Sequence, residues 1–175
     1  MKKWMLVTAL LTLALSLGAQ ERIPLLDRVA GHRVSCQYVY GLSKDEEPYE
    51  EITSGHLLTE GNAFLLDGLG LEIRSDGTTR WTLDPEAREV MVENVKEDDL
   101  LANPALILGG YRSYMKRIKV LASGADSLRF TFRLDEDVVA MISLSDVVFS
   151  EPQGKSDFTL DVKSLSKDYV VTDLR

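Results

Sequence analysis

One cysteine, two histidines and a single long apolar run set the first limits on this chain. Cys36 has no partner thiol, so an internal disulfide is excluded and stability has to come from packing. With one cysteine there is no paired-cysteine zinc site and no dithiol redox couple. His32 and His56 stand far apart, in no metal-ligand spacing. No serine occupies a nucleophile-elbow pattern. The acidic clusters at 97–99 and 135–137 lack the glycine and closing glutamate of a calcium loop and read as solvated turns. Nothing here supplies catalytic machinery or a cofactor site, and the sequence reads as a non-enzyme.

The apolar run is at the start. Lys2 and Lys3 precede Trp4 to Leu17, which is interrupted only by Thr8, Thr12 and Ser16, and Gly18, Ala19, Gln20 and Glu21 follow. A basic start, a short apolar stretch and small residues make a secretory signal, too short and too acidic on its far flank for a membrane span. Cleavage after Gly18 and after Ala19 both fit. Residues 1–19 are therefore set apart as a signal peptide, and 20–175 form one domain. Net charge is −8 and becomes −10 once Lys2 and Lys3 leave. So acidic a chain disfavours nucleic acid and anionic headgroups as bulk partners.

Strand signals dominate the rest. Residues 22–30 suit a short helix from Pro24 to Gly31. Val34, Cys36, Tyr38 and Tyr40 alternate with Ser35, Gln37 and Val39. Residues 43–50 form a charged connection. Ile52–Leu58 and Ala63–Leu66 flank a Glu60-Gly61-Asn62 turn. Leu69, Leu71 and Ile73 precede Asp76-Gly77, a two-residue hairpin signal. Trp81 and Leu83 share a face, Asp84-Pro85 turns the chain, and Val90 and Val92 mark another strand. Asn103-Pro104 starts a short helix, apolar all round through Leu108, and Gly109-Gly110 ends it. Met115–Leu121 is the next strand. Leu128, Phe130, Phe132 and Leu134 give the clearest alternation, and Val138–Leu144 follows it. Phe158, Leu160 and Val162 suggest a last short strand, with 168–175 as a tail that packs down. Many strands joined by short turns make an antiparallel sheet. With few helices to cover its apolar face, the sheet has to curl. A mainly β fold follows: a curled antiparallel sheet, or half-open β-barrel, with short lid helices.

Three segments carry a resemblance. Ser75-Asp76-Gly77-Thr78-Thr79-Arg80-Trp81-Thr82-Leu83-Asp84-Pro85 with Glu89-Val90, then Asn103-Pro104-Ala105-Leu106-Ile107-Leu108-Gly109, then Ser156-Asp157-Phe158-Thr159-Leu160-Asp161, occur in an order that resembles the LolA-like periplasmic carriers of outer-membrane lipoproteins. The resemblance implies a periplasmic monomer that takes acylated lipoproteins from an inner-membrane release complex to an outer-membrane acceptor. It also implies an apolar cavity under a lid. Candidate wall residues are Phe64, Leu66, Leu71, Ile73, Trp81, Phe130 and Phe132; Leu106, Ile107 and Leu108 are the candidate lid. Acyl chains need only apolar walls, since each buried methylene contributes about 0.8 kcal/mol. The family's arginine-proline pair ahead of the hairpin is absent from Glu60–Leu66, so the resemblance leaves open how the lid is held. A non-shuttling lipid sensor or protein-interaction domain on the same fold is the alternative function. A packed core is the alternative role for the wall residues.

Overall fold

A computed structural model describes residues 22–45, 47–95, 104–114 and 116–175, with backbone alone for 104–106. The signal segment 1–19, the Asn103 cap and the acidic stretch at 97–99 lie outside the described residues.

The strands are β1 (Arg33–Lys44), β2 (Glu50–Glu60), β3 (Ala63–Gly68), β4 (Leu71–Ser75), β5 (Thr79–Asp84), β6 (Glu89–Asn94), β7 (Ile118–Ser123), β8 (Leu128–Arg133), β9 (Val138–Ser150) and β10 (Val170–Asp173). They form one ten-stranded sheet in the order β10-β6-β5-β4-β3-β2-β1-β9-β8-β7. β10 and β7 stand at its two edges, so the sheet is not closed into a barrel. Among the described residues two helices accompany it, α1 (Pro24–Asp27) and α2 (Pro104–Tyr114).

β1 is the centre of the molecule. It pairs with β2 on one side and β9 on the other, antiparallel in both cases. The β1–β9 register shifts where Asp146 and Val147 of β9 stand opposite the single residue Cys36, with Asp146 at φ +54, and a second shift falls at Tyr40/Gly41, where β2 carries the extra Ile52. A bulge bends its strand and sharpens the twist, which curls the sheet around one face. That face follows from register. Val34, Thr59, Phe64 and Ser75 are mutually paired across β1 to β4, and Tyr38, Leu144 and Leu128 across β1, β9 and β8. These rows form the concave side of the sheet and, Thr59 and Ser75 apart, belong to its core.

Several turns and ends differ from the sequence expectation. Two-residue hairpin loops stand at Leu69-Gly70, between the paired Gly68 and Leu71, which puts Leu69 in a turn and off the strand, and at Gly61-Asn62, with Gly61 at φ +60 between the paired Glu60 and Ala63. Glycine first in a two-residue loop is the II′ pattern. Asp76-Gly77 instead belongs to a longer loop, because Ser75 pairs with Arg80. There the Asp76 carboxylate accepts from the amides of Thr78 and Thr79, each at 2.8 Å. Side-chain capping of the backbone has replaced the tight turn. The expected strand at Phe158–Val162 is absent. Ser156–Phe158 and Val162–Ser164 are 3₁₀ turns. The tail does pack down, as β10, and it runs parallel to β6, whereas the other pairings among the described strands are antiparallel.

Between β9 and β10 the chain crosses the convex side as a strap. Glu60 accepts from the amides of Gln153 and Gly154, Arg33 bonds Asp157, and Arg74 donates to the carbonyl of Thr159 at 3.1 Å. Phe158 is fully buried, with the Arg33 guanidinium 5.2 Å from its ring centre. Val90 and Val92 are buried on this same convex side, outside the main core cluster.

Candidate functional site

The concave face is the candidate site, and α1 and α2 cover it. Pro24 opens α1, where its missing amide costs nothing, and Leu25 and Leu26 turn into the core. α2 does not stop at Gly109-Gly110 as the sequence suggests. It kinks at Gly110 (φ −116, ψ 18) and continues to Tyr114. Glycine permits the departure from helical angles, and the turn beyond it carries Tyr111 into the core. Ile107, Leu108 and Tyr111 are buried against Phe64, Phe130 and Phe132 in one apolar cluster.

Six of the seven candidate wall residues share this face. Phe64, Leu66, Leu71 and Ile73 lie on it through the β3–β4 register, and Phe130 and Phe132 through β8–β9. Phe64, Phe130 and Phe132 are buried under the helices, while Leu66, Leu71 and Ile73 are half-buried. Trp81 is the exception. It pairs with Arg74 and Val92, in the rows that face the convex side. The sequence shows Trp81 and Leu83 sharing a face, but not which one, and a shift of one residue exchanges faces. Of the candidate lid residues, Ile107 and Leu108 are buried in the core cluster; the Leu106 side chain lies outside the described residues.

Three residues of the site are absent from the sequence reading: Asp27, Tyr111 and Arg112. The Tyr111 hydroxyl donates to Asp27 Oδ1 at 2.6 Å and Arg112 Nη2 donates to the same oxygen at 2.7 Å. The amide of Ile23 donates back to the Tyr111 hydroxyl at 3.4 Å. This junction ties α2 to α1. The bonds from Tyr111 and then Arg112 hold the Asp27 carboxyl below its ordinary 3.8. Near it, a recess of about 270 Å³ lies between Val29–Gly31, Gly61-Asn62 and the kink glycines of α2. No local motif announces such a junction, since its partners are more than eighty residues apart.

Tyr38 adds a further tie under the site. It pairs with Gly55, and its hydroxyl reaches over to the carbonyl of Asp67 at 2.8 Å. Burial pushes up the hydroxyl pKa values of Tyr38 and Tyr40. Burial also pushes the Cys36 thiol up to about 12, so it is a packed apolar group and not a nucleophile. Among the described residues there is no cluster of potential metal ligands and no helix long and apolar enough to cross a membrane.

Fold and site together define a class: an open, curled sheet whose concave apolar face is covered by two short helices instead of a second sheet. No protein-family model matches the chain, and no curated protein matches it in sequence. Among solved structures, an uncharacterized conserved protein from Thermus thermophilus is similar at a TM-score of 0.47 and 10% identity, over 85% of this chain and 94% of that one. A likeness at this level carries no argument about function.

Proposed function

We propose that the protein is an exported, periplasmic carrier that holds the acyl chains of lipoproteins between its concave face and the helix pair. It would collect them at the inner membrane and deliver them to an outer-membrane acceptor. One observation carries this reading: the apolar face is covered by a kinked eleven-residue helix tied down at Asp27. A helix of that length does not stand alone in water and gains its stability from the surface it covers. Displacing it would uncover Phe64, Phe130 and Phe132, an apolar surface that binds hydrocarbon without directed contacts. The apolar leader at Trp4–Leu17 and the resemblance to lipoprotein carriers support the same function.

The test is binding of an acylated lipopeptide against the same peptide without its chains. A carrier takes only the acylated form, at one site per molecule. Trp81 emission should stay constant on binding, because Trp81 faces away from the site, whereas tryptophan placed by Leu66→Trp should respond. Equal binding of both peptides, or none of either, would overturn the proposal.

A further inference from the structure

The acidic total conceals a local reversal. Between residues 112 and 133 there are six cations and one carboxylate, Asp126, in a chain of net charge −8. Register gathers part of this excess on one surface. Lys119 pairs with Thr131 and Thr131 with Met141; Arg129 pairs with Ser143 and Arg133 with Val139. These rows alternate with the Phe130 and Phe132 rows, so they face the convex side of β7–β9. The strap from Gln153 to Phe158 crosses the β2–β4 end of the sheet, well away from them. Lys119, Arg129 and Arg133 are exposed. Two of the guanidiniums are held in place: Arg129 donates to Ser143 Oγ at 3.0 Å, and Arg133 to the carbonyl of Glu136. Lys116, Arg117, Lys119 and Arg133 line one open recess of about 680 Å³, and the carboxylates Asp135 and Glu136 line it with them. Leu121, the extra residue of the β7 bulge, is 46% exposed on the same edge.

We propose that this strip docks the protein on an anionic bilayer surface. The cations are spread over neighbouring strands, which suits a diffuse negative surface. Exposed Leu121 adds an apolar side chain that can enter the headgroup region. The aromatic residues of β8 point into the core, so the strip offers no stacking platform for a single-stranded nucleic acid. The acidic remainder of the molecule is repelled by the same surface, which fixes orientation: the β7 edge faces the membrane. Docking of this kind does not depend on acyl binding by the concave face, and the two can fail separately.

The experiment is co-sedimentation of the gene product, as recovered from cells, with phosphatidylglycerol–phosphatidylcholine vesicles and with phosphatidylcholine vesicles alone. The double variant Lys119→Gln/Arg129→Gln removes two exposed charges; Lys163→Gln/Lys167→Gln makes the same charge change on the strap. Binding should require the anionic lipid and weaken with salt as the Debye length falls to about 3 Å at 1 M. It should drop roughly 30-fold in the first variant, from the loss of two charges near the surface, and stay near the parent value in the second. Matching thermal melts would show that the first variant is folded. Equal binding to neutral vesicles, no binding to anionic ones, or equal weakening by both variants would overturn the proposal. Self-association at low salt, lost in the first variant, with no vesicle binding would assign the strip to a second copy of the chain instead.

Discussion

Leu108→Ala, read beside the parent by hydrogen exchange, tests whether α2 is a displaceable lid or a fixed part of the core. Leu108 is buried with Ile107 and Tyr111 beneath the kink of α2. Truncating a buried leucine costs about 2–5 kcal/mol, from lost transfer energy and the cavity left behind. If α2 opens on its own, all of that cost falls on the closed state. The opened state, with Leu108 already in water, is unaffected. Amides of α2 should then exchange roughly 30-fold to several thousand-fold faster, the range those energies correspond to. In the parent, amides in β1, β8 and β9 should exchange far more slowly than those of α2, because they open only on global unfolding; the substitution raises the opened and unfolded populations alike. Hydrogen exchange read by mass spectrometry on peptides covering 104–114 and 128–144 gives both quantities at once. Equal opening free energies for the two peptides in the parent would mean that α2 unfolds only with the sheet, and the lid would be refuted.

Three further outcomes follow from the same contacts. The depressed Asp27 carboxyl contributes stability that is fully present above its ordinary 3.8 and is lost as pH falls through the lower folded value. Exchange in α2 should therefore quicken on acidification below about that pH, and Asp27→Asn should flatten the response. Gly55→Ala should destabilise the β2–β3 pairing, because a Cβ there would sit 2.0 Å from the Asp67 carbonyl oxygen. Overpacking of this kind costs about 1–3 kcal/mol or more, and a melt matching the parent would contradict it. Cys36, with a thiol pKa of about 12, should resist a thiol reagent at neutral pH until denaturant is added; stoichiometric labelling of the folded protein would place the thiol at the surface.

What could be read from the sequence was the part decided within a few residues. The β8 alternation of Leu128, Phe130 and Phe132 needs only its own period, and these residues are buried as that period requires. Pro24 likewise marks α1 by itself. Trp81 failed at the next level. Its strand was legible, but its face depends on the offset set by the Asp76–Thr79 loop, and there a carboxylate cap displaced the expected tight hairpin. Phe158 looked like a strand residue because its neighbours alternate; in the fold it plugs the convex side beside Arg33. The Asp27 junction and the parallel β10–β6 pair join distant segments with no local signature. Gly109-Gly110 reads as a stop, and only the core contact of Tyr111 carries the helix past it.

The central place of β1 has a consequence for the order of assembly. β1 to β6 form a run of adjacent hairpins, and β7 to β9 a second; each can close through local pairings. Among the described strands the two halves pair along β1 and β9, where Arg33 meets Ser150 and Lys44 meets Val138. That seam closes loops of about a hundred residues, and pairing over such separations is slow compared with hairpin formation. Until Val138–Ser150 has emerged, β1 offers a bare strand edge carrying Val34, Cys36 and Tyr38. Unpaired apolar edges of this kind are where nascent chains adhere to one another. The interval between making β1 and making β9 is thus the time when the chain most needs a holding chaperone.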